Sequence, residues 1–402
     1  MTVTLLVTDQ DLNIIGDPLD GWTNLDCTKR FNEPGSGTVD LPASPEAMEI
    51  LQPGHRLVVM RDGQVWMAGP MEVPQEVEVG YGGGEDGGQA PPGEISIAFT
   101  DDLGRIAGYI TWPDPASAWE DQPTSTWRTI TATGGETIIR QLVNENCGPG
   151  ARPERRIPRL ILGPVAGVGT TTLVNTRFEG LLETCRRVAI DGGGLGFRAR
   201  QVGRDIVFEV YEPRDLSTSA RFSFGLGNLR YLRAKLSAPT VTHALVAGSE
   251  PDEDAEEPWD RAYVQVADTG QADVWYRVEK FVDGSAQDDS EGELTQAGTE
   301  ELAGGAAPVE LATVTVDIPD LPGEPGSGLI AGRDFDLGDR VSVQLPNGQQ
   351  VTDLVRSMHL QATPGSGERV TTLVGSPEAT TDPQMVRVVR DLTRRLGRIT
   401  AR

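Results

Sequence analysis

Apolar and polar positions alternate in short runs over the first hundred residues, the period of half-buried strands. VTLLVT (3–8) and SGTVDLP (36–42) are two such runs. RLVVMR (56–61) and QVWMAGPM (64–71) flank Asp62-Gly63, which predicts a hairpin closed by a two-residue turn. EISIAFTDD (94–102) returns as a strand with Ile95, Ile97 and Phe99 on one face. Between these strands, GYGGGEDGGQAPPG (80–93) is low in complexity and reads as a flexible hairpin loop.

The period then changes. TGGETIIRQLVNENCG (133–148) has a helical stripe of Ile138, Ile139, Leu142 and Val143, capping-box spacing at Thr133 and Glu136, and a stop at Gly148. TRFEGLLETCRRVAIDGGG (176–194) repeats the signal, with Thr176 and Glu179 as the box and Phe178, Leu181, Leu182, Cys185, Val188 and Ala189 as the stripe. Two strands follow, GLGFRARQ and DIVFEVYEP, so this stretch is a mixed α+β module. From about residue 236 the strand pattern resumes in TVTHALVAG, DVWYRVEKFV, VELATVTVDIP and RVSVQLPNGQQV. A short helix is expected near 294–303.

One pattern occurs twice. PGHRLVVMRDGQVW (53–66) and LGDRVSVQLPNGQQV (337–351) both read Gly-x-Arg, an apolar strand, a polar turn ending Gly-Gln, and another apolar residue. The second copy is one residue longer. A duplicated domain leaves such a trace. Near the end, Asp382-Pro383 opens a helix signal. Met385, Val389, Leu392, Leu396 and Ile399 then step by four and three. This is a coiled-coil seam of about two heptads, too short to be stable alone. It either docks on its own domain or gathers several copies.

Composition adds limits. The 402 residues include 48 Gly, 28 Pro and only 5% aromatics, which suits many short strands joined by turns. The net charge of −25 argues against tight nucleic-acid binding. It serves either solubility or a surface that repels nucleic acid close by. The acidic stretches 250–260 and 283–293 read as solvated surface. No apolar run reaches the ~18 residues of a spanning helix. The N-terminus lacks a basic leader, so synthesis and assembly in a host cytoplasm are expected.

Candidate chemistry is sparse. His55, His243 and His359 are far apart, and no metalloprotease or nucleophile-elbow motif is present. Cys27, Cys147 and Cys185 read as reduced, buried hydrophobes. GPVAGVGTTT (163–172) lacks the lysine and spacing of a phosphate loop and reads as a connection. DEDAEE (252–257) lacks the glycine and terminal glutamate of a calcium loop. No catalytic set, cofactor or metal is expected.

The order of several segments resembles the minor tail proteins of long-tailed actinobacteriophages, of the tail-hub class. These segments are FNEPGSGTVDLP and ILQPGHRLVVMRDGQVWMAGPM near the start, FEGLLETCRRVAIDGGGLGFRAR, DIVFEVYEPRDLS and FSFGLGNLRYL in the middle, and GRDFDLGDRVSVQLPNGQQVTDLVRSM near the end. The resemblance spans roughly 1 to 375. It implies a β-rich α+β chain with two tube-type β-barrel domains, a mixed α+β module between them and a C-terminal helix. The boundaries are 1–110 for the first barrel, 111–235 for the module, 236–378 for the second barrel and 379–402 for the amphipathic helix.

The resemblance also implies a homotrimeric ring at the tail tip of the virion, closing the tube and opening a channel for DNA. DNA is met only in transit. Tail-tube ring proteins are expected above, and a tip or fibre protein below, contacted through 383–402. Some relatives carry a lytic domain after the hub; this activity is not carried over. The alternative is a peripheral tip protein that binds host-surface glycan through Trp112, Trp119 and Trp127.

Overall fold

The computed structural model describes residues 3–44, 48–49, 52–72, 76–78, 93–123, 125–236, 238–248, 261–283, 294–295, 297–299, 301–302, 309–365 and 367–375. The C-terminal seam, the calcium-like DEDAEE stretch and most of the 80–93 loop lie outside these residues. The chain divides into two compact units, one of residues 1–232 with 313–375 and one of residues 233–312.

The first strands follow the alternation. They are β1 (Val3–Thr8), β2 (Asn24–Arg30), β3 (Glu33–Pro42), β4 (Arg56–Arg61), β5 (Gln64–Pro70), β6 (Glu76–Glu78) and β7 (Glu94–Thr100), followed by helix α1 (Asp102–Ala107). β2 and β3 form a hairpin, β7 pairs with β3, and β6 pairs with β7. β4 and β5 form the expected hairpin. Asp62 and Gly63 have φ of 51° and 77°, the two left-handed residues that a tight hairpin turn of this type needs. A bulge leaves Trp66 without a cross-strand partner, since Val59 pairs with Met67 and Met60 with Val65.

The mixed module comprises β8 (Arg128–Gly134), α2 (Gly135–Asn146), β9 (Leu160–Leu162), β10 (Thr171–Thr176), α3 (Leu181–Asp191), β11 (Gly196–Val202), β12 (Asp205–Tyr211) and the short β13 (Arg221–Phe222). The predicted stripes of α2 and α3, apart from Phe178, pack with Phe197 and Phe208 in one buried core. Each such large apolar side chain contributes about 1.5–3 kcal/mol on burial. The helix starts differ from the capping-box expectation. α2 is capped by Gly134 and α3 by Gly180, and neither cap makes a side-chain hydrogen bond. Phe178, expected on the α3 stripe, has a left-handed φ of 53°, which keeps the helix from beginning at Thr176.

The remaining elements are β14 (Leu229–Leu236), β15 (His243–Ala247), β16 (Tyr263–Ala267), α4 (Thr269–Val274), β17 (Glu279–Asp283), β18 (Val309–Val316), β19 (Arg340–Gln344), β20 (Gln350–Thr363) and β21 (Gly367–Gly375). β15, β16 and β17 form a three-stranded sheet in the second unit. Short helical stretches at 294–295, 297–299 and 301–302 fall where the helix was expected.

The duplicated sequence pattern corresponds to a duplicated connectivity. In the first repeat the strands lie in the order β2-β3-β7-β6, with β4–β5 as a hairpin that leads into β6. In the second they lie in the order β14-β18-β21-β20, with β19 forming a hairpin on the first part of β20. β20 pairs with β19 through Leu354 and with β21 from Val355 onward, as β5 pairs with β4 and the chain then crosses to β7. Gly54 and Gly338, two residues before each hairpin's arginine, have matching φ of 88° and 85°. A side chain is strained at such angles, so the glycine is fixed in both copies. The longer second turn, Leu345 to Gln349, places Pro346 and Asn347 ahead of Gly348 at φ 87° and closes through Leu345 N–H donating to Gln349 O. The second unit occupies the β14–β18 connection, where the first repeat has only Phe31 and Asn32.

The two repeats meet head to tail, with β20 of the second beside β2 of the first. The result is one ten-stranded sheet with open ends rather than two closed barrels. The β4–β5 hairpin sits apart from it, in a three-stranded sheet with β1.

The repeated arginine has two fates. Arg56 is fully buried and makes a bidentate pair with Asp102, Nη1 to Oδ1 and Nη2 to Oδ2, both at 2.9 Å. Arg340 is exposed. Arg56→Ala is expected to cost about 3–5 kcal/mol, because Asp102 is left buried without its partner. Arg340→Ala is expected to stay within about 0.5 kcal/mol of the parent. Urea unfolding of the two variants side by side checks this.

Candidate functional site

The histidines stay apart in structure as in sequence. His359 Nε2 lies 2.7 Å from Asp26 Oδ1, at the join between β20 and β2. His243 Nδ1 meets the Thr242 hydroxyl at 3.1 Å, and His55 precedes β4. Cys27, Cys147 and Cys185 are buried and free. Burial pushes the Cys147 thiol up to about 12 and the other two further. Thiols held protonated in this way are poor nucleophiles. Among the described residues, no group of three His, Cys, Asp or Glu is placed to hold a metal. No helix among them is long and apolar enough to cross a membrane.

The Gly-rich loop does bind an anion, and the anion is internal. Ala166, Gly167 and Val168 donate their backbone N–H groups to the buried Glu136 carboxylate at 2.7, 2.6 and 3.0 Å. Glu136 thus holds the loop instead of completing a capping box. The second expected box is replaced by a cluster of nearby side chains. Glu179 accepts from Thr176, Thr184 and Arg187 ahead of the first turn of α3.

The three tryptophans of the 112–127 loop are placed unequally. Trp112 is buried under the Arg155 guanidinium, 4.0 Å from the ring centroid. Trp119 and Trp127 are 61% and 55% exposed. Trp119 rests on Trp112 and, edge-on, on Phe178. The loop below is tied by Gln122, which donates to Asp114 O at 2.7 Å.

A cavity of about 610 Å³ lies in the first unit between the β4–β5 hairpin, β11 and the 330–337 loop. The bulged Trp66 projects here, with Lys29 Nζ 3.8 Å from its ring centroid and Arg61 on the same ring. Arg61 reaches Asp317 at 3.0 Å and Glu368 at 2.9 Å. Lys29 and Arg198 both reach Asp336. These charges are paired with one another and tie the first hairpin to the second repeat. They are not arranged as a nucleophile with a base. The sequence pattern gave no sign of this network, because its ion-pair partners are separated by 138 residues or more.

The feature left for function is the sheet itself. Within the chain, β20 is joined to β2 antiparallel, from Leu25↔Ala362 to Arg30↔Ser357. The two ends of the sheet order, β14 and β6, are the repeat equivalents of β2 and of the second half of β20.

The model of the Siphovirus ReqiPepy6 Gp37-like protein family matches residues 4–376. The chain belongs to that family. Its fold is shared with the prophage MuSo2 43 kDa tail protein from Shewanella oneidensis, at a TM-score of 0.52 and 12% identity, covering 94% of this chain and 99% of the other. A tail protein from Neisseria meningitidis MC58 gives 0.51 and 12%, covering 94% and 97%. The prophage tail protein gp18 from Listeria monocytogenes EGD-e gives 0.50 and 11%, covering 98% and 99%. No curated protein matches. At these identities the likeness is one of fold.

Two residues of this family member have measurable consequences. Asp101 caps α1 and accepts from Gly35 N–H at 2.8 Å, and burial raises its carboxyl to about 6. The native state therefore binds more protons than the unfolded chain between about pH 4 and 6, and stability falls as pH rises through that window. Relative to Asp101→Asn, the parent is expected to lose about 3 kcal/mol from pH 4 to pH 7, measured by urea unfolding at both. Glu136→Ala is expected to cost about 2–3 kcal/mol and to speed amide exchange at Ala166–Val168, because three N–H groups lose their acceptor.

Proposed function

We propose that the chain is a phage tail component and, within the tail, the hub at its tip: a homotrimeric ring that closes the tube and surrounds the path of DNA. One observation carries this reading. The second repeat joins the first head to tail inside the chain, and the two ends of the sheet are the same two edges again. A head-to-tail contact of this kind can repeat from copy to copy until it closes. Two repeats per chain and three chains give six positions, which fits a six-fold tube above, as the resemblance to tail hubs implies.

The net charge of −25 supports the second half of the reading. A ring wall that binds each phosphate would hold DNA back, and an acidic wall does not. The role proposed is one of assembly and conduction, with no chemistry assigned to it. The fold shared with tail proteins is consistent with that role.

Two measurements on intact particles and purified chain test the proposal together. Immunogold labelling with an antibody to the chain is expected at the tail tip, and native mass spectrometry is expected to give a trimer. Label along the tail or on side fibres, with a monomer in solution, would overturn it. That result would leave glycan binding at Trp119 and Trp127 as the better reading.

A further inference from the structure

Five side chains of the mixed module form one continuous stack. The Arg155 guanidinium lies 4.0 Å from the Trp112 ring centroid. Trp112 meets Trp119 with centroids 5.8 Å apart, and Trp119 meets Phe178 edge-on at 6.0 Å. The Arg177 guanidinium lies 5.6 Å from the Phe178 centroid. The stack therefore begins and ends on a cation. Its middle ring has none: among the described residues, no cation lies on Trp119, which is the most exposed ring of the three.

Two free carboxylates share the turn that carries this ring. Trp119, Glu120 and Asp121 form a short 3-10 helix. Glu120 and Asp121 are exposed, and among the described residues their carboxylates make no ion pair or hydrogen bond. The turn is fixed from below. Gln122 Nε2 donates to the carbonyls of Asp114, Ser117 and Ala118, and the Ser117 hydroxyl donates to Asp114. Phe178 holds its left-handed backbone while its N–H donates to Thr111 O at 2.8 Å. A bulky residue seldom adopts that conformation, and such strain gathers at binding sites. The β8–β10 ladder ends at Arg128↔Thr176, so the exposed Trp127 leaves it at the same end as Arg177 and Phe178.

We infer that this turn receives an arginine from a basic segment of a partner protein. The guanidinium stacks on the exposed part of the Trp119 ring and donates to Glu120 or Asp121. Arginine fits both demands, because its planar cation stacks on aromatic rings and pairs with carboxylates in a fork, whereas lysine is a point charge. The chain already makes the same contact at both ends of the stack, with Arg155 and Arg177. Its net charge of −25 draws a basic partner in. A preformed turn of this kind loses little freedom on binding. The inference goes beyond the hub reading and does not depend on it, since every residue involved lies within the mixed module.

Fluorescence anisotropy with the full-length chain tests this, using two labelled peptides of equal charge, one of Gly-Arg repeats and one of Gly-Lys repeats. The arginine peptide is expected to bind about ten-fold tighter than the lysine peptide. Trp119→Ala is expected to abolish that preference. Glu120→Gln together with Asp121→Asn is expected to weaken the arginine peptide about five-fold, and keeps the test decisive should Trp119→Ala disturb the loop. Equal binding of the two peptides, or a preference that both variants leave intact, is attraction to the net charge alone and overturns the site. Failure of both peptides to bind overturns it as well. A glycan array bound by the parent but not by Trp119→Ala, with neither peptide bound, overturns arginine in favour of a sugar.

Discussion

Six residue pairs between β2 and β20 hold the chain's architecture together. They join positions separated by more than 320 residues, from Leu25↔Ala362 to Arg30↔Ser357. Closing so long a loop has an entropic cost that grows only slowly with length. The join offsets it with Cys27, Leu25, Leu360 and Met358, all buried. Asp26 adds a polar clasp, bonded to His359 at 2.7 Å and to Gln361 at 3.1 Å. Without this join the two repeats would be separate half-sheets, each with two exposed edges, and exposed strand edges pair with whatever is available. With it, one edge of each repeat is consumed inside the chain and one remains.

Much of this was legible in the sequence, and the reasons are local. Asp62-Gly63 between two apolar runs fixes a hairpin by turn chemistry alone. Gly338 and Gly348 report the second hairpin through backbone angles that other residues tolerate poorly. The stripes of α2 and α3 appear at the helical period because each helix has one buried face. The misreadings come from competing partners. Thr133 with Glu136, and Thr176 with Glu179, have the spacing of a capping box, yet both glutamates are taken by other bonds, Glu136 by a distant loop and Glu179 by nearby side chains. Glu136 binds the 166–168 loop, and Glu179 binds Arg187 and two threonines. The partners of Glu136 lie outside any short window, whereas those of Glu179 are near in sequence and take its carboxylate by side-chain bonds. The duplicated barrels expected from the resemblance take the form of a duplicated connectivity in an open sheet, since a single chain leaves its end strands unpaired by any third repeat.

The cavity beside Trp66 shows a similar division. Trp66 reads in sequence as one apolar residue of a strand. A one-residue bulge turns it between Lys29 and Arg61, and Arg61 then reaches Asp317 and Glu368 in the second repeat. The ion pairs that follow are worth little singly at a surface, but here they are largely removed from water and bonded on several sides. They fix how the β4–β5 hairpin lies against the second repeat, which the backbone ladder does not, because that hairpin belongs to a sheet of its own. The Arg56–Asp102 pair performs the same task on the other side of the hairpin, against α1.

The central claim is that the internal join is the template for contacts between copies. The most direct measurement is a reconstruction of the tail tip by electron cryo-microscopy at a resolution that separates strands. The account predicts three copies, with β14 of one beside β6 of the next at the ordinary strand spacing of about 4.8 Å, antiparallel as β2 and β20 are. A tip in which these two edges face solvent, or are covered by a different protein, would contradict it.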